Sequence, residues 1–183
     1  MTGLGVVLAL VAVAVAWTIV IYNRLVAMRQ QVRNAWHQIH VQLKRRHDLI
    51  PNLVATVRTY LDHEQATLER VTAARARAIA AADIPDAASA EAGLSAALGR
   101  LVAVVEAYPN LQANESIRDL MEELRSTENR IGFARQQYND SVMHFNTASQ
   151  VFPNHLIAGR FGFTPSQFFQ MDPSDAAVPE VRP

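Results

Sequence analysis

The chain has 183 residues, half of them apolar, with few aromatics and no cysteine. Disulfides, thiolate chemistry, iron–sulfur clusters and cysteine-type zinc sites are therefore excluded. The formal charge is zero, but residues 1–47 carry six basic side chains and no acidic one, leaving eleven basic against seventeen acidic over residues 48–183; that larger, acidic part is a poor surface for nucleic acid, whose binding rests on neutralising phosphates.

From Leu4 to Tyr22 the chain carries no charged residue. Such a stretch forms a helix of roughly 28 Å, close to a hydrocarbon layer of about 30 Å. Residues 1–22 are therefore expected to form a transmembrane anchor, with its helix over 4–22. Leu4 opens the run, and Trp17 and Tyr22 lie toward its other end, where aromatic rings favour the headgroup boundary. A cleaved signal peptide would use a site such as Ala12-Val13-Ala14. The apolar run lacks a basic segment ahead of it and continues well past that site, so a retained anchor is expected. Arg24, Arg29 and Arg33 follow directly. By the positive-inside bias they put the N-terminus outside and the following domain in the cytoplasm. Beside anionic lipid each also gains about 1 kcal/mol, which makes membrane lipids an expected partner.

Beyond the anchor, apolar residues recur at alternating steps of three and four, the signature of helices. The first seam is Leu25, Met28, Val32, Ala35 and Ile39. The second is Val54, Val57, Leu61, Leu68, Val71, Ala78 and Ala82, and the third Leu94, Leu98, Leu101, Val105 and Tyr108. The fourth runs Ile117, Met121, Leu124, Ile131, Tyr138, Val142, Phe145 and Phe152. A repeat sustained this long predicts helices packed side by side. The expected fold is all-α: the anchor, then an elongated antiparallel bundle of about four helices over residues 23–161. The boundaries are marked by Ile50-Pro51-Asn52, Tyr108-Pro109-Asn110, Phe152-Pro153-Asn154 and Asp83-Ile84-Pro85-Asp86, because proline lacks a backbone donor and suits helix starts. They predict helices over about 23–48, 51–82, 87–107 and 114–151, with a short turn near 154–160. The seam slips by one residue at Pro51, which favours a break there, although a simple kink would also fit. In the tail, 162–183, Phe163, Phe168 and Phe169, following Phe161, are expected to pack on the bundle, a neighbour or the membrane surface, and residues 172–183 to be disordered.

Chemistry is hard to place on this pattern. His37 and His40 are spaced i, i+3, whereas a helical zinc pair is usually i, i+4 with a carboxylate. His47 lies further along the same helix, His63-Glu64 and His144 stand alone, and no Glu has His three residues on, which excludes a di-iron bundle. No phosphate-cradling glycine loop or nucleophile elbow is present. No catalytic residue, cofactor or metal is expected.

Four charges fall on the seams where an apolar residue would stabilise better: Glu64, Arg75, Glu128 and Arg135. Each could extend to the rim, or charge pairing could set helix register. Counting through the intervening turns puts Arg75 within one turn of Glu128 and predicts a contact between them.

Several blocks resemble the bacterial LemA family. They are Tyr22-Asn23-Arg24-Leu25-Val26, Asn34-Ala35-Trp36, the run from Gln42 to Val54, Glu106-Ala107-Tyr108-Pro109, Thr127-Glu128-Asn129-Arg130-Ile131 and Arg135-Gln136-Gln137-Tyr138-Asn139. The resemblance covers about residues 1–170; His37 and His40 depart from the family's small polar or acidic residues. It implies a membrane-anchored helical bundle of the bacterial plasma membrane, of undefined molecular role and without established catalytic activity. The functional expectation is a structural or adaptor protein that presents a helical surface at the cytoplasmic face and self-associates into homo-oligomers. The alternative is a regulatory partner of a membrane-bound protease or envelope-stress system.

Overall fold

The computed structural model describes residues 2–60 and 64–170, and these are helical with no strand among them. The helices are α1 (Thr2–Arg58), α2 (Gln65–Ala80), α3 (Ile84–Ala107), α4 (Pro109–Gln112), α5 (Glu115–Gln150) and α6 (Asn154–Phe161). The expected disorder over 172–183 and the seam residue Leu61 lie outside the described residues.

The helix border expected between residues 48 and 51 is corrected, and the choice left open at Pro51 is decided: the chain does not reverse there, because α1 continues through it to Arg58. An interior proline removes a single backbone hydrogen bond, and a neighbouring helix replaces that bond here, as described below. The reversal comes later, where Thr59 N–H and Tyr60 N–H donate to the carbonyls of Thr56 and Val57 and tighten the last turn of α1. The segment expected as the start of the second helix is thus the end of the first. At the next break Asp83 is extended, and its side chain accepts from Asp86 N–H at 2.9 Å. Asp86 in turn accepts from Ala82 N–H at 3.2 Å. This reciprocal capping, with Pro85 in the first turn, starts α3. Before α5, Asn114 Oδ1 accepts from Ile117 N–H at 3.1 Å while its amide donates to the Tyr60 hydroxyl at 2.9 Å.

The chain divides into two compact units, each taking part of α1 and part of α5. The larger comprises, among the described residues, 38–60, 64–136 and 168–170. Its core joins Ile50, Leu53, Val57, Leu68, Val71, Leu94, Leu101 and Ile117, all essentially sealed from solvent. α3 is apolar enough to cross a membrane by length and composition, yet Ala88, Leu94, Leu101 and Val105 are buried in this core, so it is a bundle helix. Phe169 is also sealed, whereas Phe168 is 40% exposed.

The other unit comprises residues 1–37 and 137–167. Its exposure changes abruptly along α1. Of the residues from Gly3 to Val20, Thr18 alone is even half-buried, whereas Ile21 is 7% exposed and Leu25 1%. Packing therefore begins at Ile21. Tyr22 meets Phe161 and Phe163 edge-on at 5.0 and 5.6 Å, and Phe163 meets Phe145 at 6.4 Å. α6 stops at Gly162, whose φ of 70° is left-handed and suits glycine. Beyond it, Asn146 clamps the Ser166 backbone with both ends of its amide, at 2.9 and 2.8 Å, and the Tyr138 hydroxyl donates to the Gln167 carbonyl at 2.7 Å.

Burial pushes the Tyr138 phenol up to about 12. The fold thus favours the neutral phenol, and this contribution is complete below pH ~10 and fades as pH rises toward ~12. The tyrosinate absorbance missing from Tyr138→Phe should accordingly appear near pH 12 in the folded wild-type protein and near 10 in denaturant; a step near 10 in both states would contradict this.

Candidate functional site: a buried ionic cluster

In the larger unit, the seam of α1 continues past Ile39 as Leu43, Arg46, Ile50, Leu53 and Val57, every one at most 5% exposed. A guanidinium thus occupies a slot built for an apolar side chain, and a lone charge there would be prohibitively costly. α3 supplies the answer. Glu91, three residues before Leu94 on the same seam, is 1% exposed and places Oε2 at 3.4 Å from Arg46 Nη1. Its other oxygen lies 2.6 Å from His47 Nε2. A carboxylate can only accept, so Nε2 carries the proton in that contact. Two adjacent residues of α1 therefore grip one buried carboxylate. From α5, Glu128 approaches the same Arg46 Nη1 at 3.1 Å. Ser95, one turn beyond Glu91, accepts from Arg46 Nη2 at 2.7 Å and donates to Glu128 at 3.4 Å.

α2 completes the cluster in a different way. Pro51 has no N–H, so the carbonyl of His47, four residues earlier, has no helical donor. Arg75 Nε donates to that carbonyl at 2.7 Å. The side chain that looked misplaced on its seam replaces the hydrogen bond that proline removed. Arg46, His47, Arg75, Glu91, Ser95 and Glu128 thus draw α1, α2, α3 and α5 of this unit to one level.

The residues singled out from sequence fall into distinct places. Arg75 and Glu128 both enter the cluster, but each takes another partner than the one expected: Arg75 the His47 carbonyl, Glu128 the Arg46 guanidinium. The register count had started the second helix at Pro51 rather than at Gln65, and a backbone acceptor lay within reach. Glu64 stands at the N-cap position of α2 without a side-chain capping bond to the backbone, and its carboxylate accepts from Thr67 Oγ1 at 3.5 Å. Arg135 is half-buried on α5. Glu128 and Arg135 flank the true seam, which passes through Thr127 and Ala134, 1% and 8% exposed. Leu4 and Trp17 are exposed, and Tyr22 is in the aromatic contacts above. Arg24 and Arg33 are exposed, whereas Arg29 lies over the Phe163 ring at 4.9 Å. Arg46, His47, Glu91 and Ser95 were missed. The signal was present, since extending the first seam beyond Ile39 and the third back from Leu94 puts one charge of each sign in a core slot.

Chemically, the arrangement engages its polar groups with one another, apart from Arg46 Nε, which is buried without a hydrogen-bond partner. Ser95 is held against Arg46 and Glu128, and His47 against Glu91, so the hydroxyl and the imidazole face different partners. Among the described residues no group of three or more His, Asp or Glu side chains is placed to hold a metal. Beside the cluster lies a mainly apolar cavity of about 230 Å³, lined by Arg46, Leu53, Leu98, Val102, Met121 and Glu128 among others. That is below the roughly 300–1,000 Å³ usual for small-molecule pockets.

These features define an all-α protein: one unit is a bundle closed around an ionic cluster, and the other carries a bare apolar helical stretch. The chain belongs to the LemA family, whose model matches residues 35–182. It is also similar to two magnetosome proteins, MamQ 2 of Paramagnetospirillum magneticum and MamQ of Magnetospirillum gryphiswaldense. They are 35% and 34% identical over 85 residues, which is 46% of this chain. The match covers only 31% of the length of these relatives.

Two sets of variants test the cluster by denaturant unfolding in mild detergent. Arg46→Met should destabilise by about 3–5 kcal/mol, because it strands Glu91, and adding Glu91→Leu should recover much of that loss. Arg75→Met should lose about 1–3 kcal/mol with Pro51 present and less than half as much in a Pro51→Ala background, where residue 51 regains its donor. Equal losses in the two backgrounds would contradict the role given to Arg75.

Proposed function

We propose that the protein is a single-pass, membrane-anchored structural or adaptor protein that displays its helical bundle at the cytoplasmic face and self-associates there, without catalysing a reaction. The observation that carries the anchor is the exposure of α1. Its N-terminal stretch from Gly3 to Val20 is uncharged and apolar, and the unit it belongs to leaves it uncovered, with Leu4, Leu10 and Val13 at least 65% exposed. Apolar surface of that extent is stable in lipid, not water. Thr18, the polar side chain within it, donates its hydroxyl to the Ala14 carbonyl at 2.8 Å, which satisfies it inside the helix as a hydrocarbon setting requires. Arg24 and Arg33, exposed just beyond, support the cytoplasmic orientation. The ionic cluster supports a structural role, since its members are engaged with each other. Self-association draws support from Phe133 and Val41, which the larger unit leaves 74% and 63% exposed.

Fractionation tests this reading. The full chain should stay in the membrane pellet after alkaline carbonate washing. Val11→Arg with Val13→Arg should release it, since each arginine at mid-span costs about 2.5–3.5 kcal/mol. Native mass measurement in mild detergent should show homo-oligomers that Phe133→Glu weakens. Recovery of the wild-type protein in the soluble fraction would overturn the anchor, and a monomer at every concentration would overturn self-association.

A further inference from the structure

The smaller unit leaves a second apolar surface uncovered, and its position names what covers it. Val151, Phe152, Leu156 and Phe161 are 46%, 78%, 59% and 53% exposed. They lie on α6 and in the turn that leads into it, a run of eleven residues. Scattered exposed apolar residues need no explanation, but four large ones within one short segment point to an interaction site. This group adjoins the apolar span directly. Phe161 touches Tyr22 ring to ring at 5.0 Å, and Tyr22 stands two residues beyond Val20, the last exposed apolar residue of the stretch. α6 is thus docked at the level where α1 passes from bare to packed.

We propose that the segment from Val151 to Phe161 is a second membrane contact, in which Phe152 and Leu156 enter the interfacial layer of the bilayer that α1 crosses. The chemistry fits that layer. Aromatic rings favour the headgroup boundary; Trp17 and Tyr22 lie at this end of the span, Phe161 touches Tyr22, and Phe152 is in the turn that leads into the same short helix. Arg160, exposed and one turn from Leu156, offers a cation to lipid phosphates, and so does Arg24 on α1. Two membrane contacts in one unit hold it against the surface rather than leaving it tethered by a single helix. This inference rests on the anchor reading, and the test separates the two.

The chain has no cysteine, so a single introduced cysteine carries an environment-sensitive fluorophore at one known site. The positions are Phe152→Cys and Leu156→Cys, with Val11→Cys inside the span. Gln137→Cys serves as an exposed reference on α5, roughly 20 Å along the helix from Val151. The full chain is reconstituted in vesicles containing anionic lipid, and each label is read against nitroxides at shallow and deep positions on the lipid and against aqueous iodide. The expected result is blue-shifted emission at 152 and 156 with quenching by the shallow nitroxide, deep quenching at 11, and iodide quenching alone at 137. If 11 is quenched by lipid while 152 and 156 behave like 137, the second contact is overturned and the anchor stands. If 11 itself is open to iodide, the anchor fails and the second contact with it. Shielding of 152 and 156 from both lipid and iodide would show a covering protein surface, such as a second copy, and would also overturn the proposal.

Discussion

The larger unit is organised by the need to neutralise one guanidinium in its core. Arg46 is 1% exposed, and a charge so placed constrains everything around it, because desolvation is tolerable only where opposite charge and hydrogen bonds are in reach. Glu91 must therefore sit on the facing turn of α3, Ser95 one turn further, and Glu128 at the edge of α5. A slip of any of these helices by one turn would leave an ion unpaired. Apolar seams tolerate such slips more readily, since one leucine packs much like another. The ionic cluster thus works as a register pin, a use of buried polar groups that is well attested in helical bundles.

Pro51 and Arg75 solve a related problem. Proline within a helix leaves a carbonyl without its donor, and an unsatisfied buried acceptor is expensive. The side chain that satisfies it comes from another helix, so a local backbone defect in α1 becomes a tertiary tie to α2. The position is also economical in space. His47 offers its backbone carbonyl to Arg75 while its ring holds Glu91, and Arg46 beside it reaches Glu91, Ser95 and Glu128. The block from Arg45 to Pro51, among those that carry the LemA resemblance, is therefore where four helices meet, and the Thr127–Ile131 block supplies the opposing carboxylate.

The smaller unit relies on aromatic packing instead. Tyr22, Phe145, Phe161 and Phe163 interlock beside the exposed stretch of α1, and Tyr138 and Asn146 hold the segment beyond Gly162 by hydrogen bonds to its backbone. An aromatic cluster suits this location because its rings combine apolar area with polar edges, and it seals the packed unit where the bare helix begins. Bare and packed stretches are thus joined on a single helix, with the transition at Ile21.

Much of this was legible in the amino-acid order. An uncharged run long enough for a bilayer, steps of three and four, and prolines at helix borders are local signals, and they foretold the all-α fold and the third and fifth helices to within a few residues, while the segment after Phe152, expected as a short turn, is a two-turn helix. Charges on seams also pointed to the right region, since Arg75 and Glu128 both belong to the cluster. What sequence left open was pairing. Whether Pro51 ends a helix depends on a donor twenty-four residues away, and the partner of Glu128 depends on which helix faces it. Periodicity reports which face of a helix is buried, because that depends on the helix's own geometry. It does not report what lies opposite, and for a buried charge the opposite group decides both its energy and its role.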